Sequence, residues 1–224
     1  MEYLEDGKAM NNIIYEDNHI IVVYKKENVP VCLDESKDLD LLTIIKQYLK
    51  EKYNKPGNVY LGLVHRLDRP VSGIMVFAKT SKAASRLSEQ IRKKEFIKIY
   101  NAVIEGKTKE NDTLVDKLLK DNEKNIVKVS ENGKEAILNY KRLNYKDNLS
   151  LVEIELKTGR SHQIRVQFSS RNLPLYGDIK YNKNSKIGEQ IALFSKKIEF
   201  IHPTTKEKMI FELDLPNKYP WNIF

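Results

Sequence analysis

The chain has 224 residues, of which 41% are hydrophobic, and its formal net charge is +8. A hydrophobic share of this size excludes a disordered chain, and the single cysteine, Cys32, excludes an internal disulfide or a cysteine-based metal cluster. The positive charge favours an anionic partner, with RNA or DNA ahead of a membrane; a merely basic, solvated surface is the alternative.

Residues 1–11 are polar and acidic, and we predict a flexible tail there. This start has neither the cationic nor the apolar segment of a signal peptide, and the apolar run that follows it, IIVVY, is too short to cross a bilayer. We therefore expect a cytoplasmic protein with no membrane partner. Because no repeat, low-complexity block or linker interrupts residues 12–224, we predict that they form one domain.

The first elements are two strands and a helix. Residues 13–26, IIYEDNHIIVVYKK, predict two short strands around a turn at Asp17-Asn18. Apolar residues at helical spacing predict a helix within residues 36–53, opened by a Ser or Asp N-cap. The acidic cluster beside this start is interpreted as the dipole-favoured N-terminus of the helix rather than as a metal site. Its members are Asp34, Glu35, Asp38 and Asp40.

The middle of the chain alternates between strand and helix patterns. The run IMVFAK predicts a buried strand, and residues 81–94 predict an amphipathic helix whose inner face carries Ala84, Leu87 and Ile91. Residues 96–106, FIKIYNAVIEG, are rich in strand formers and end at a glycine.

The second half is dominated by strand patterns. Residues 125–145 contain Asn132-Gly133, the strongest short hairpin signal. Residues 149–157, LSLVEIELK, alternate between apolar and acidic side chains, and two late strands flank a turn at residues 202–205. Because strands outnumber helices and recur as hairpins, the sequence predicts an α+β fold with a mixed, mostly antiparallel sheet.

Several chemistries are excluded by the motifs. The chain has no glycine-rich phosphate loop, so we expect no nucleotide cofactor. It has no nucleophile elbow, and its four histidines lack metal-ligand spacing. Two stretches instead concentrate polar residues, LVHRLDRPVSG at residues 63–73 and KTGRSHQIRVQF at residues 157–168.

The first stretch holds Asp68 between Arg66 and Arg69. A nearby guanidinium favours the charged carboxylate, so we expect a nucleophile or a charge stabiliser rather than a proton donor. The arginines suit phosphates, and a carboxylate among them suits attack on a sugar carbon, or stabilisation of one that turns cationic as a glycosidic bond breaks. The structural alternative is that Asp68 caps a turn at Arg69-Pro70.

The order of these motifs resembles the RluA family of RNA pseudouridine synthases. His65-Arg66-Leu67-Asp68-Arg69 with Ser72-Gly73 resembles the signature of that family, and IIYEDNHIIVVYKK resembles its first motif. Three further segments resemble later motifs in the same order: KEFIKIYNAVIEG, TGRSHQIRVQFSSRNLPLYGDIKY and IEFIHPTTKEKMIFELDLP. The resemblance covers roughly residues 12–216. It implies two lobes flanking a catalytic cleft, no metal and no cofactor.

The resemblance also implies catalytic roles. Asp68 would act on a uridine that is flipped out of the RNA, either by adding to the sugar or by first removing a sugar proton; both routes stay open. Tyr100 would stack on the freed uracil, and Arg165 would form an ion pair with Asp68. Further residues are candidates for contacts with the RNA or the target base. They are His65, Arg66, Arg69, Arg160, His162 and Gln163.

One local pattern conflicts with the resemblance. In HQIRVQF, apolar and polar residues alternate, which indicates a strand, whereas the family implies a helix. We follow the family and predict a helix.

Other functions and the target stay open. A catalytically inactive RNA-binding or RNA-folding module of the same fold is the first alternative, and a metal-dependent nuclease using Asp68 is the second. The residues do not tell whether the substrate is ribosomal or transfer RNA, and a monomer is the favoured oligomeric state. We expect no accessory RNA-binding domain before residue 12, so target selection falls to the catalytic domain or to a partner.

Overall fold

The computed structural model describes residues 12–224, which divide into two compact units. The first contains residues up to Ile97 and Lys197–Leu213, and the second contains Lys98–Lys196 and Asp214–Phe224. The predicted tail, residues 1–11, lies outside the described residues, and the single domain over residues 12–224 stays a prediction. Among residues 12–224, no helix is long and apolar enough to cross a membrane.

The described chain contains eleven strands and three α-helices, which confirms the predicted α+β class. The strands are β1 (Ile13–Glu16), β2 (Ile20–Lys25), β3 (Gly62–Leu63), β4 (Ser72–Ala78), β5 (Ile97–Glu105), β6 (Asn111–Asp121), β7 (Ile126–Val129), β8 (Lys134–Lys146), β9 (Leu149–Leu156), β10 (Leu193–Ile201) and β11 (Lys208–Glu212). The helices are α1 (Leu41–Lys52), α2 (Ser81–Arg92) and α3 (Gln163–Ser169), with a 3₁₀ turn at Trp221–Ile223.

The sheet of the first unit is centred on β2 and β4. These strands pair antiparallel from Ile20 opposite Ala78 to Lys25 opposite Gly73, and β1 pairs antiparallel with β2, as predicted. Every residue of β4 is buried, because one face packs against α2 and the other is also covered. β3 adds to β4, and β11 pairs antiparallel with β10. The buried β4 therefore provides a rigid base for the loop that precedes it.

The two helices of the first unit begin at side-chain caps. The Asp40 carboxylate accepts from the Thr43 backbone N–H (3.1 Å) at the start of α1, which confirms an aspartate N-cap there. The predicted inner face of α2 is confirmed, because Leu87 is buried and Ala84 and Ile91 pack against the core; Ala83 and Gln90 are buried as well. Gln90 turns inward because its side chain donates to the Ile201 carbonyl (2.8 Å) and accepts from the Ile201 N–H (2.8 Å).

In the second unit the strands follow the order β5-β9-β8-β6-β7. The hairpin predicted at Asn132-Gly133 is wrong, because β7 and β8 do not pair with each other. Both pair antiparallel with the long strand β6, one on each of its edges. The turn carries the chain across β6, and a Cβ on Gly133 would lie 2.5 Å from the Leu118 backbone, so this crossing requires glycine.

The helix predicted against the alternating pattern is confirmed as α3. Its polar residues are as buried as its apolar ones. Gln167, for example, donates to the carbonyls of Leu114 (3.2 Å) and Ala136 (3.2 Å) on neighbouring strands. The alternation therefore reflects polar side chains used inside the fold, not a solvated face of a strand.

Candidate active site

Asp68 lies in the loop between β3 and β4 and is partly exposed. Its carbonyl accepts from the Val71 N–H (3.0 Å), which closes a tight turn over residues 68–71. Leu67 anchors one side of the loop in the core (6% exposed), and Val71 anchors the other (2%). The carboxylate is thus carried by a short turn with a buried apolar residue at each end.

A buried lysine donates hydrogen bonds to the backbone of the same turn. Lys25, the last residue of β2, is 0% exposed, and its ammonium donates to the carbonyls of Val71 (2.7 Å), Arg69 (2.9 Å) and Lys26 (3.0 Å). Burial lowers the pKa of Lys25 to about 7, although the charge of Asp68 opposes this shift. Sequence patterns did not predict a role for Lys25, whose one signal is that a cation ends an otherwise apolar strand.

Arg69 is engaged by the loop before α1. Its Nε donates to the Asn28 carbonyl (3.2 Å), its Nη1 donates to Ser36 Oγ (2.8 Å), and it forms ion pairs with Asp34 (3.5 Å) and Asp38. The hydrogen bond from Arg69 helps to lower the pKa of Asp38 below its usual value. The interpretation of the acidic cluster as a helix N-terminus is therefore right for Asp40 and wrong for these two aspartates, which bind an arginine instead.

The two residues before Leu67 have different environments. His65 Nε2 accepts from the Val76 backbone N–H (3.1 Å) of β4, and its ring lies against Phe96 with 5.6 Å between centroids. One nitrogen of His65 is therefore used inside the first unit. Arg66 is exposed, so its guanidinium remains a candidate for contact with RNA.

In the second unit, Tyr100 lies on β5 opposite Ile154 of β9 and is 5% exposed. Arg165 lies on α3, where its guanidinium forms a bidentate pair with Asp178 (Nε–Oδ2 2.9 Å, Nη2–Oδ1 2.7 Å). Asp178 is 1% exposed, and the guanidinium also lies over the Tyr181 ring at 5.1 Å. Planar hydrogen bonding of this kind fixes the orientation of Arg165. The predicted Asp68–Arg165 ion pair stays a prediction.

The turn before α3 is held by Gln163. Its Oε1 accepts from Thr158 Oγ1 (2.8 Å) and from the Arg160 N–H (3.0 Å), while its Nε2 donates to the Ile137 carbonyl (3.1 Å). His162 has a left-handed backbone (φ 50°), and its Nδ1 lies 2.6 Å from the Tyr181 hydroxyl. Both predicted contact residues thus also stabilise the turn.

Arg160 is exposed beside a cationic concavity. Its Nε donates to the Glu135 carbonyl (2.8 Å), and it lines a cavity of about 420 Å³ over the β6–β7–β8 sheet. Lys120 and Lys134 also line this cavity, together with the buried Val127. A concave surface with three cations and an apolar floor suits the phosphates and bases of RNA. Among residues 12–224, no group of three or more His, Cys, Asp or Glu is placed to hold a metal ion.

The sequence model of the family described as RNA pseudouridylate synthase matches residues 19–170. The chain belongs to this family. It is therefore an isomerase that acts on uridine in RNA, and the resemblance to RluA-type enzymes is confirmed. The matched residues include the Asp68 turn, Tyr100 and Arg165.

Named relatives agree with this family. The chain is 34% identical over 209 residues to the uncharacterised RNA pseudouridine synthase YhcT of Bacillus subtilis strain 168, covering 92% of this chain and 68% of the relative. It is 33% identical to ribosomal large subunit pseudouridine synthase C of Buchnera aphidicola subsp. Baizongia pistaciae, covering 92% and 67%. Synthase D of the same organism is 32% identical, covering 92% and 69%.

Solved structures support the fold. The human RNA pseudouridylate synthase domain containing 4 protein superposes with a TM-score of 0.79 at 20% identity, covering 96% of this pseudouridine synthase and 92% of the human chain. The human domain containing 1 protein gives 0.74 at 22% identity, covering 92% and 84%. Both likenesses concern the fold.

Proposed function

We propose that this pseudouridine synthase modifies specific uridines of ribosomal RNA and that Asp68 is its catalytic carboxylate. The observation that carries the proposal is the Asp68 turn, in which the buried Lys25 donates to the carbonyls of Arg69 and Val71. Arg69 of this turn is in turn bound by Ser36, Asp34 and Asp38. A fixed carboxylate on a partly exposed turn suits attack on a substrate, because catalysis depends on a held geometry. The choice of ribosomal RNA rests on the names of two relatives, synthases C and D.

The reaction exchanges one bond for another at the same sugar. The target uridine leaves the RNA stack, and the bond between uracil N1 and the sugar C1′ breaks. The freed uracil turns, a bond forms between its C5 and C1′, the C5 proton leaves and N1 is protonated. Asp68 either adds to C1′ and is later displaced, or it removes a sugar proton, the base leaves, and the proton returns to the sugar as C5 bonds to C1′; both routes balance without an external reactant.

Tyr100 and Arg165 support this chemistry in the proposal. The Tyr100 ring offers a flat surface on which the freed uracil stacks while it turns. Asp178 engages two N–H groups of Arg165. A guanidinium has five such donors, so the proposed contact with Asp68 uses others. Arg66 and the cationic concavity around Arg160 would hold flanking phosphates. A monomeric enzyme in the cytoplasm is part of the same proposal.

The proposal is tested by mapping pseudouridine site by site. Ribosomal and transfer RNA are isolated from a strain lacking the gene, and each pool is incubated with the purified chain. The expected result is new pseudouridine at one or a few positions of ribosomal RNA, each absent from the deletion strain and present in its parent. Modification confined to transfer RNA would overturn the choice of substrate, and modification of neither pool would overturn the proposed function.

A further inference from the structure

Lys98 is a buried cation that the described protein leaves without a partner. It lies on β5 and is 9% exposed, and among residues 12–224 its ammonium makes no hydrogen bond or ion pair. Lys25, which is also deeply buried, differs because its ammonium donates to three carbonyls. Burying a charge without a partner is unfavourable, so a lysine in this state suggests that an anion binds there.

The neighbouring carboxylates lie on the opposite face of the sheet. β9 pairs with β5, and its two acids, Glu153 and Glu155, stand opposite Asn101 and Ile99. Since side chains alternate along a strand, Lys98 shares its face with Tyr100 instead. The strand register therefore keeps the acids of β9 away from the Lys98 ammonium, and burial alone lowers the pKa of this lysine.

The Lys98 ammonium reaches the turn that carries the predicted RNA contacts. A Cβ on Gly159 would lie 3.4 Å from Lys98 Nζ, so the ammonium rests against the bare backbone of this glycine. Arg160 is the next residue, and Gln163 fixes the turn through the Arg160 N–H (3.0 Å). Lys98 thus connects the strand of Tyr100 with a cationic turn.

We propose that Lys98 binds a backbone phosphodiester of the RNA, next to the nucleotide that stacks on Tyr100. The inference rests on the proposed role of Tyr100. A phosphodiester carries a full negative charge and would therefore provide the buried ammonium with an anionic partner. A lysine in this position adds an electrostatic contact close to the target base, and it fixes the nucleotide by its backbone rather than by its base.

The salt dependence of RNA binding tests the proposal. Binding of a fluorescein-labelled oligouridylate to the full chain is measured by anisotropy between about 50 and about 200 mM salt. Lys98→Met should weaken binding several-fold and reduce the slope of log K against log salt by about 0.7, the value for one lost phosphate contact on a single strand. Lys98→Arg should retain the slope. The matched control is Lys82→Met, an exposed lysine of α2, which should leave the slope unchanged.

Thermal unfolding provides the second measurement. Because Lys98→Met removes a buried charge without a partner, its melting temperature should equal or exceed that of the wild type. A strongly lowered melting temperature would show a structural role and overturn the proposal, as would an unchanged salt slope. If the wild type forms no pseudouridine while the slope still falls, the anion site stands and the proposed function fails. If the wild type forms pseudouridine while Lys98→Met leaves the slope unchanged, the proposed function stands and the anion site fails.

Discussion

The ammonium of Lys25 lies 2.7 Å from the carbonyl oxygen of Val71, forty-six residues away in the sequence. This contact, with the one to the Arg69 carbonyl, links the end of β2 to the turn of Asp68. A lysine that donates to backbone carbonyls on such a turn sets the backbone path and, with it, the direction of the Asp68 side chain. Two segments far apart in sequence thereby place one carboxylate.

Replacing Lys25 should affect turnover more than stability. Lys25→Met removes the three hydrogen bonds but also removes the cost of burying the charge, so we expect a small change in the free energy of unfolding. A shift of the turn by about 1 Å should lower kcat roughly 10²-fold. Single-turnover pseudouridine formation measures this, with the exposed Lys50→Met as control. An unaltered kcat would contradict the role assigned to Lys25.

The buried pair Arg165–Asp178 should be essential to the second unit. Asp178→Ala leaves the buried guanidinium without its bidentate partner, and we expect a loss of about 3–5 kcal/mol in the free energy of unfolding. Urea denaturation measures the loss. The double variant Arg165→Met with Asp178→Leu should recover much of it, because no charge is then stranded. If Asp178→Ala costs no more than the exposed control Glu89→Gln, the pair does not stabilise the unit.

The ion pairs that Asp34 and Asp38 form with Arg69 should weaken RNA binding. Asp34 and Asp38 place two carboxylates beside the Asp68 turn, which in the proposal faces the RNA, and they engage a cation suited to phosphate. The double variant Asp34→Asn with Asp38→Asn should therefore bind RNA several-fold more tightly at low salt. The gain in affinity should shrink as added salt screens the charges. Filter binding at two salt concentrations checks this. Equal affinity of the double variant and the wild type at low salt would show that the acids do not oppose RNA.

Acid should destabilise the first unit through Glu16. Burial alone would raise the pKa of Glu16, but hydrogen bonds from Lys52, Lys79, Tyr53 and Tyr48 lower it to about 2. Because the folded pKa lies below the unfolded one, Glu16 stabilises the fold fully above about pH 4.5 and loses this effect as the pH falls towards 2. The total effect is about 3 kcal/mol.

Glu16→Gln tests this linkage through the pH dependence of the free energy of unfolding. The variant should be less stable at pH 7 and should show a shallower loss between about pH 4.5 and about pH 2. Parallel curves for the variant and the wild type would mean that the carboxylate does not titrate with folding.

Local patterns predicted most elements of the first unit. The pair β1–β2, the helix α1 with its Asp40 cap and the buried strand β4 follow from short-range signals in the sequence. The turn at Asn132-Gly133 misled the prediction because local turn chemistry does not reveal the partner strand. The long strand β6 offers two edges, and the chain uses both.

The candidate site residues were harder to predict, because Tyr100 and Arg165 are buried and Asp68 lies partly exposed on a loop. The residues Asp68, Tyr100 and Arg165 were found through a resemblance, since a charged residue on a loop or an alternating segment looks like solvated surface. Lys25 and Lys98 look like ordinary surface lysines for the same reason, and only burial separates them from the others. The partner of Arg165, Asp178, lies in an irregular segment where no periodicity applies.

If the Asp68 carboxylate performs the chemistry, replacing it should abolish product formation without weakening RNA binding. The most direct measurement is pseudouridine formed in ribosomal RNA by Asp68→Asn, together with the Kd of the variant for that RNA. Asp147→Asn is the matched control, because Asp147 is an exposed turn aspartate with a left-handed backbone (φ 51°). We predict that Asp68→Asn forms no detectable pseudouridine while its Kd and melting temperature stay at the wild-type values. Turnover by Asp68→Asn at the rate of Asp147→Asn would show that another group performs the chemistry.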